Sequence, residues 1–307
     1  SYLGARMGRP EKAKRREMQP LVHVLFPVGL AGGSQRNLVK AAEQSAVEVE
    51  LVRRRCPECG NITFRARCEN CGVETQLIYA CPKCGRELPK GATCPNCRLE
   101  AQAYSRQLLR LGEILREACQ RLGVSMPQLI KGVKGLTNRD KVPEPVEKGV
   151  LRAIYDLSVY KDGTLRFDAT NAPLTHFKPA EIGVDVETLK QLGYETDVDG
   201  NPLTNENQVC ELKVHDIIIP REAAEYLLRV SKFVDELLER FYGVEPYYRA
   251  ESQKDLVGHL VIGLAPHTSV GVVGRIIGFT DAKVCYAHPL WHSAKRRDCD
   301  GDEDSIM

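Results

Sequence analysis

The sequence predicts an α+β fold that carries a separate metal-binding module. Eight closely paired cysteines between residues 56 and 97 predict the module, while an amphipathic pattern over Arg221–Tyr242 and β-branched apolar runs elsewhere predict mixed helices and strands. The 307 residues are 43% hydrophobic and 27% charged, which is enough for a sizeable core and suggests two or three domains. A net charge of +2 gives no overall field for nucleic acid or membrane, and no apolar run approaches the roughly 20 residues that span a bilayer.

The first half of the chain predicts a strand, two helices and a boundary. Leu21–Val28 is apolar and β-branched, which is typical of a buried strand. Ser34 is placed to cap a helix over Gln35–Gln44, and apolar residues at helical spacing over Ala101–Leu122 predict one long helix. Two prolines within Lys141–Pro145 indicate a boundary or linker.

The second half predicts hairpins, a long helix and buried strands. Asp-Gly pairs at residues 162–163 and 199–200 favour hairpin turns, and Glu211–Ile219 predicts a strand. Gly243 is placed to end the amphipathic helix. Leu256–Val284 is rich in glycine and β-branched residues, which predicts buried strands joined by tight turns.

Four Cys-x-x-Cys pairs predict two structural zinc sites, because two adjacent pairs supply the four tetrahedral ligands that zinc prefers. The first site is Cys56, Cys59, Cys68 and Cys71, and the second is Cys81, Cys84, Cys94 and Cys97. Three pairs are followed by a glycine (Gly60, Gly72, Gly85), where a positive φ is often needed. A disulfide framework or a redox role suits four successive pairs poorly. The other cysteines are read as free thiols: Cys119, Cys210, Cys285 and Cys299.

The Cys module is basic. Residues 51–99 contain nine Lys and Arg against four Glu. Nucleic-acid contact through Arg53–Arg55 and a plain solvated face both stay open.

An acidic cluster near the end of the sequence predicts a cation site. Asp298, Asp300 and Asp302 alternate around Gly301, so their carboxylates can converge on Mg²⁺, which prefers oxygen ligands. Two-metal sites use such carboxylates in phosphoryl transfer. A calcium loop of the EF-hand type would need Gly at the sixth position, where Glu303 stands. A solvated acidic tail is the other alternative.

Three cations directly precede the acidic cluster. Lys295, Arg296 and Arg297 are placed to offset phosphate charge beside a metal site, so we expect them to contact nucleic acid or phosphate. His288 and His292 lie four residues apart and are read as packed or supporting residues rather than ligands.

Four segments, together with the Cys module, carry a resemblance to a known family. They are Gly8–Ala13, His267–Thr280, Tyr286–Pro289 and Ala294–Asp304. They resemble the large, catalytic subunit of the archaeal family-D DNA polymerase, and the resemblance covers essentially the whole chain. Because the chain starts at Ser1 and stops abruptly after the acidic cluster, we expect an internal piece of a longer subunit.

The resemblance implies a catalytic core of two double-psi β-barrels, related to the core of multisubunit RNA polymerases. The fold class becomes α+β with partial double-psi β-barrels at both ends and a zinc-ribbon module and helical and hairpin region between. We expect the end of the first barrel and a linking helix in residues 1–50 and tandem zinc ribbons in 51–100. An intervening region follows in 101–245, and the second barrel starts in 246–307 with the acidic motif.

The resemblance also implies chemistry: DNA-templated transfer of a nucleotide from a dNTP to a primer 3′-hydroxyl by two metal ions. Asp300 and Asp302 match the family's metal-binding aspartates. Asp298 stands where the family usually has Asn, which is similar to the three-Asp motif of RNA polymerases. Lys12 is the candidate basic companion in catalysis, and Arg9 is a second basic candidate. The isolated piece is expected to be inactive.

Cofactors and partners follow from the same resemblance. It implies catalytic Mg²⁺ beside structural Zn²⁺, a DNA primer-template and dNTP, a small proofreading subunit, and a sliding clamp contacted through parts outside this chain. We expect a cytoplasmic protein without a membrane partner. Two alternatives remain: a zinc-ribbon module that binds nucleic acid without catalysis, and a fragment of an RNA polymerase large subunit.

Overall fold

The computed structural model describes residues 18–265, 271–297 and 301–307. These residues divide into two compact units. The cysteine unit comprises Gln19–Val159 with Arg240–Gly243, and the barrel unit comprises the described residues of Tyr160–Glu239 and Val244–Met307. Among the helices that are described, none has the length and apolar character to cross a bilayer.

The cysteine unit combines short helices with an antiparallel ribbon and a small sheet. Its elements are α1 (Leu38–Ala41), β1 (Val47–Val52), β2 (Arg54–Arg55), β3 (Ile62–Thr63), β4 (Gln76–Leu77), β5 (Tyr104–Leu109), α2 (Leu111–Leu122) and α3 (Val146–Ile154). Strands β1 and β5 pair antiparallel along six residues. Strand β2 lies between β3 and β4, and this small sheet sits among the Cys pairs.

The single helix predicted over Ala101–Leu122 is wrong in its first half. Residues of β5 pair with β1, whose alternating buried and exposed residues are typical of a half-buried strand. Leu108, the first of the apolar residues at helical spacing, is 74% exposed on β5. The helix begins at Leu111 and ends at Gly123, whose φ of +64° matches a left-handed C-terminal cap.

The strand predicted over Leu21–Val28 is extended and buried but not part of a regular sheet. It joins its neighbours through isolated bridges, Val22 to Val159 and Pro27 to Val133. The burial prediction is therefore confirmed, while the regular strand is not found.

The first helix starts later than predicted and is only one turn long. Asn37 rather than Ser34 caps it, because the Asn37 Oδ1 accepts a hydrogen bond from the Val39 N–H at 3.0 Å.

The proline-rich segment Lys141–Pro145 is not a boundary, since it packs within the cysteine unit. The Glu144 carboxylate accepts a hydrogen bond from the Leu25 N–H at 2.8 Å and pairs with Arg152 at 2.9 Å. The division between the units falls after residue 159 instead.

The barrel unit follows with eight strands and four helices in its described part. These are β6 (Phe167–Pro173), β7 (His176–Phe177), α4 (Pro179–Ile182), α5 (Val186–Gln191), β8 (Cys210–Glu211), β9 (Asp216–Pro220), α6 (Arg221–Glu236), β10 (Leu260–Leu264), β11 (Gly271–Thr280), β12 (Val284–Ala287), α7 (Pro289–Ala294) and β13 (Glu303–Ile306). Helix α6 continues as a π-helical turn over Leu237–Tyr242, and Gln253–Leu256 forms a 3-10 turn.

Six strands close a barrel in the order β10-β11-β9-β12-β6-β13, with β13 returning to β10. The pairs β11–β9 and β12–β6 are parallel, and the other four pairs are antiparallel. The α+β class is confirmed. The barrel closes within this chain, where the sequence led us to expect only a partial one, because β6 and β9 join it from the region expected to lie between two barrels.

The turns predicted from Asp-Gly pairs are present, although the flanking strands differ from those expected. Gly163 and Gly200 both have positive φ in hydrogen-bonded turns. The strand predicted over Glu211–Ile219 is divided into β8 and β9 by a turn in which Asp216 N–H donates to Lys213 O. In β9, Ile217 and Ile219 enter one apolar cluster while Ile218 enters another, so the strand is buried on both faces.

Glycines in β10 and β11 make room for a tryptophan on α7. A Cβ at Gly263 would lie 2.2 Å from the Trp291 ring, and one at Gly274 would lie 3.1 Å from it. The indole N–H donates to the Val273 carbonyl at 3.0 Å. Because Trp291 is buried in the barrel cluster, this fit anchors α7 against the strands. The glycines predicted to form turns here serve close packing at these two positions.

Replacing Gly263 with Ala should therefore destabilise the barrel unit. The added methyl group overlaps the indole, so we expect a loss of about 1–3 kcal/mol. Denaturant unfolding followed by the fluorescence of Trp291, the one tryptophan in the sequence, measures it. Gly274→Ala is the matched variant and should cost less, because its contact with the same ring is longer. A larger loss for Gly274→Ala would contradict this packing.

Candidate metal centres and acidic loop

The eight paired cysteines form the two four-Cys clusters expected from their spacing. Within each cluster the sulfur atoms lie within 4.8 Å of one another. Four pairs of Sγ atoms within the clusters are 3.6–3.9 Å apart. Four thiolates around zinc at about 2.3 Å would lie about 3.8 Å apart in a tetrahedron, so the clusters have the dimensions of structural zinc sites. All eleven described cysteines are free, so no described cysteine forms a disulfide.

Each Cys pair is built on the same backbone turn. The N–H of the residue after the second Cys donates to the carbonyl of the first Cys. The N–H of the first Cys donates to the carbonyl of the residue two positions after the second Cys. The residue after the second Cys has positive φ in all four turns: Gly60, Gly72, Gly85 and Arg98. The positive φ expected at the three glycines is confirmed.

In each cluster, backbone hydrogen bonds lower the pKa of one thiol, Cys68 or Cys81. Hydrogen bonds from the backbone N–H groups of Cys71 and Asn70 lower the pKa of Cys68 to about 6. Bonds from the Cys84 and Lys83 N–H groups similarly lower the pKa of Cys81 to about 6. A thiol with a lowered pKa is more readily the thiolate that zinc binds.

Arg98 is the exception among these turns, because a side chain occupies a left-handed backbone at φ +55°. Arg98→Gly should relieve that strain and tighten zinc retention in the second cluster by about 1 kcal/mol, or roughly fivefold in affinity. Competition with a chelator measures the change. Gly85→Ala, in the same cluster and with no atom within 4 Å of its added Cβ, is the opposing control and should weaken retention by a similar factor. Equal retention in all three proteins would contradict the proposed strain.

The basic residues Arg54 and Arg55 serve contacts inside the cysteine unit. Arg54 donates to the Thr75 hydroxyl at 2.8 Å and to the Thr75 carbonyl at 2.7 Å. Arg55 makes a two-bond pair with Glu87, at 2.5 and 3.1 Å. Because these guanidinium groups are occupied, the Arg53–Arg55 patch presents less free charge than its sequence suggests.

The residues between α7 and β13, 296–302, are called the acidic loop here, and 298–300 among them lie outside the described residues. His288 caps α7, with its Nδ1 accepting from the Leu290 N–H at 3.1 Å. The helix ends at Lys295, and Arg296 follows with a left-handed φ of +59° that turns the chain away from the helix. Gly301 has φ +98°, a conformation that favours glycine, and turns the chain into the strand.

Asp302 is the one residue of the predicted aspartate triplet that lies among the described residues; Asp298 and Asp300 lie outside them, as do Lys12 and Arg9. The Asp302 carbonyl accepts a hydrogen bond from the Asn171 N–H on β6 at 2.9 Å. Its carboxylate is about one-third exposed and lies 3.6 Å from the Arg297 guanidinium.

The three cations before the loop have different surroundings. Arg296 is exposed, and Arg297 is half-buried beside Asp302. Lys295 is buried, and its ammonium group pairs with the buried carboxylate of Asp304 on β13. Burial lowers the pKa of Lys295, an effect that the neighbouring Asp304 opposes. Lys295 therefore faces the protein interior, unlike the phosphate contact expected from the sequence.

His292 completes this buried cluster. Its Nε2 lies 3.0 Å from the Ala172 carbonyl, and its Nδ1 lies 3.4 Å from the Asp304 carboxylate. The packed role expected for His292 agrees with this position. Several buried polar atoms nearby have no hydrogen-bond partner among the described residues: Asn171 Oδ1 and Nδ2, His292 Nδ1, Arg297 Nε and Asp304 Oδ1.

Sequence reasoning missed Asp304 and Asn171 as parts of the site. Asp304 was one member of a run of acids, and nothing local distinguishes it from Asp302. Asp304 lies in the strand Glu303–Ile306, whose last three residues are buried although two of them are polar, so the local pattern did not indicate its burial. Asn171 lies more than a hundred residues earlier, and only barrel closure places its backbone against the loop.

A closed six-stranded barrel together with two four-Cys clusters defines an α+β protein whose clusters are compatible with zinc ribbons. Comparison with known families makes this specific. Residues 123–307 match the family model described as DNA polymerase II large subunit DP2, catalytic domain, and residues 1–90 match its central domain. The chain belongs to the DNA polymerase II large subunit family, which confirms the resemblance in its motifs.

Similar proteins named DNA polymerase II large subunit occur in several archaea. The chain is 54% identical to that of Pyrococcus furiosus and 54% identical to that of Archaeoglobus fulgidus, over its whole length in both cases. Identity to the protein of Thermococcus kodakarensis is 52%. The chain spans 25%, 28% and 18% of these relatives, so it corresponds to about a quarter of such a subunit.

Proposed function

We propose that this chain is part of the catalytic subunit of a DNA-directed DNA polymerase and supplies the acidic loop at which nucleotides are transferred. The match of residues 123–307 to a polymerase catalytic domain is the observation that carries the proposal, because that range contains both the barrel and the loop. The reaction is attack of a primer 3′-hydroxyl on the α-phosphate of a dNTP, with release of pyrophosphate.

We propose Mg²⁺ as the catalytic cofactor. Asp302 offers a partly exposed carboxylate, and its backbone follows the turn at Gly301 and accepts a hydrogen bond from the Asn171 N–H. Asp300, and Asp298 as a further oxygen donor, would complete an all-oxygen ligand set of the kind hard cations prefer. Mg²⁺ held there supplies charge stabilisation for the attacking and leaving oxygens.

The basic residues offset phosphate charge in this proposal. Arg296 is exposed at the start of the loop, where it can contact the triphosphate or the DNA backbone. Arg297 lies beside Asp302 and balances the carboxylate charge before metal binds. Lys12 and Arg9 are proposed as further basic groups that face the reacting phosphate.

The zinc sites hold the cysteine unit together. Zn²⁺ in two closed four-Cys sites would be structural, since no position is left for water. Each cluster joins segments that otherwise contain only two-residue strands and turns, so the metal replaces an apolar core there.

Further parts of the proposal concern the whole polymerase. The large-subunit names of the relatives support a small partner subunit, for which we propose the proofreading nuclease, and DNA primer-template as substrate. We propose double-psi connectivity for the closed barrel, and residues 1–50 as the end of a first such barrel with its linking helix. A sliding clamp would bind through other parts of the subunit.

The alternatives are less well supported. A nucleic-acid-binding zinc module without catalysis relied on Arg53–Arg55, and two of those side chains are occupied internally. A fragment of an RNA polymerase large subunit is disfavoured by the match of both chain regions to DNA polymerase domains.

Zinc content gives a first test. The intact chain should contain about two zinc ions, and Cys56→Ser should reduce this to about one because three thiolates hold zinc less tightly. Elemental analysis of the purified chain measures the stoichiometry, and Cys210→Ser, at a buried free thiol, is the control that should retain both ions. A chain that folds without zinc would overturn the structural role.

The central test of catalysis is Asp300→Ala in the full-length subunit assembled with its small partner. Primer extension should fall by on the order of 10³-fold or more, because a metal ligand is lost, while affinity for DNA should change little. Asp199→Ala is a matched control, since Asp199 also precedes a glycine in a turn but is exposed and far from the loop in sequence. Extension retained by Asp300→Ala would refute the assignment.

A further inference from the structure

We propose that Lys295 and Asp304 are positioning residues that fix the two ends of the acidic loop and thereby set the geometry of its metal ligands. This inference rests on the proposed function, since it assigns the purpose of the pair to the metal site. Neither side chain is assigned as a catalytic residue, because both are fully buried and paired with each other.

The pair spans the loop. Lys295 is the C-cap of α7, and Asp304 is the second residue of β13. Because the acidic loop lies between them in sequence, their ion pair joins the residues on either side of it. The main-chain bond from Asn171 to the Asp302 carbonyl fixes the strand side two residues earlier.

Burial makes this connection restrictive. Both side chains are 0% exposed, so neither charge can turn towards water when the ion pair breaks. The Lys295 ammonium lies 3.5 Å from the centre of the Trp291 ring, and the buried His292 and Cys285 enclose the pair further. Because Trp291 packs closely against Gly263 and Gly274, its ring has little freedom to move away from Lys295.

Stability alone does not account for such a pair. A buried ion pair is often no more stabilising than apolar residues of similar size, because desolvation offsets the attraction. Asp304 Oδ1 and His292 Nδ1 beside it, which find no hydrogen-bond partner within the described part of the chain, add to that cost. A defined distance between the loop ends is what the charged pair provides and an apolar pair does not.

A change in the geometry of the acidic loop should alter the preference of the site for Mg²⁺ over Mn²⁺. Mg²⁺ demands near-ideal octahedral geometry and dehydrates reluctantly, whereas Mn²⁺ suits the same oxygen ligands. A loosened loop should therefore lose Mg²⁺ more than Mn²⁺. A general loss of folded protein would instead reduce function with both ions in equal proportion.

The experiment uses the full-length subunit with its small partner and primer-template DNA. The main variant is the double substitution Lys295→Met with Asp304→Leu, which leaves no unpaired buried charge and so keeps the barrel folded. Lys295→Met alone is the second variant. Mg²⁺ binding is measured directly, by competition against the paramagnetic signal of Mn²⁺, and primer extension is measured against the concentration of each ion.

We expect the double variant to melt within a few degrees of the parent, to bind Mg²⁺ about tenfold more weakly, and to regain most of its extension rate in Mn²⁺. Lys283→Met, at an exposed surface ion pair in the same unit, is the control and should match the parent. Unchanged Mg²⁺ affinity in the double variant, or equal losses with both ions, would overturn the positioning role.

Asp302→Asn separates this inference from the proposed function. If Asp302→Asn abolishes extension while the double variant keeps parental Mg²⁺ affinity, the loop is catalytic and the positioning role alone is refuted. If Asp302→Asn extends primers like the parent, the proposed function fails and the positioning role fails with it.

Discussion

The antiparallel pairing of β13 with β6 is the constraint on which the acidic loop depends. Strand β13 is four residues long and begins directly after Asp302, so any shift in its register would move the loop. The same strand pairs with β10 and closes the barrel. The strand pairing that closes the barrel therefore also positions the Asp302 carboxylate. The buried core beneath β13 stabilises both.

The two units are stabilised by different interactions. In the barrel unit, β9 and Trp291 are buried among apolar residues, and glycines provide the close approach. The clusters of the cysteine unit instead use short turns whose backbone N–H groups point at thiols. Metal binding there would replace the apolar burial that such small strands cannot provide. Positive φ after each pair is the shared requirement, and Arg98 shows that it holds even without glycine.

Local patterns in the sequence predicted the features that local physics determines. Cys spacing predicted both clusters, because a Cys-x-x-Cys turn defines its own ligand geometry, and apolar periodicity predicted α6. The same periodicity misled over Ala101–Leu122, where pairing with β1 outweighs helical spacing and leaves Leu108 in solvent. Lys295 was read with its basic neighbours, since its partner Asp304 is brought close only by barrel closure. Asp298 and Asp300 rest on the sequence motif and family match alone.

Anomalous scattering from Mn²⁺ tests the central claim most directly, in crystals of the full-length subunit with its partner and primer-template DNA. The account predicts a Mn²⁺ peak within about 2.6 Å of carboxylate oxygens of both Asp300 and Asp302, and zinc peaks inside the two Cys clusters. A Mn²⁺ peak bound by other side chains, with Asp300 and Asp302 free of metal, would contradict it.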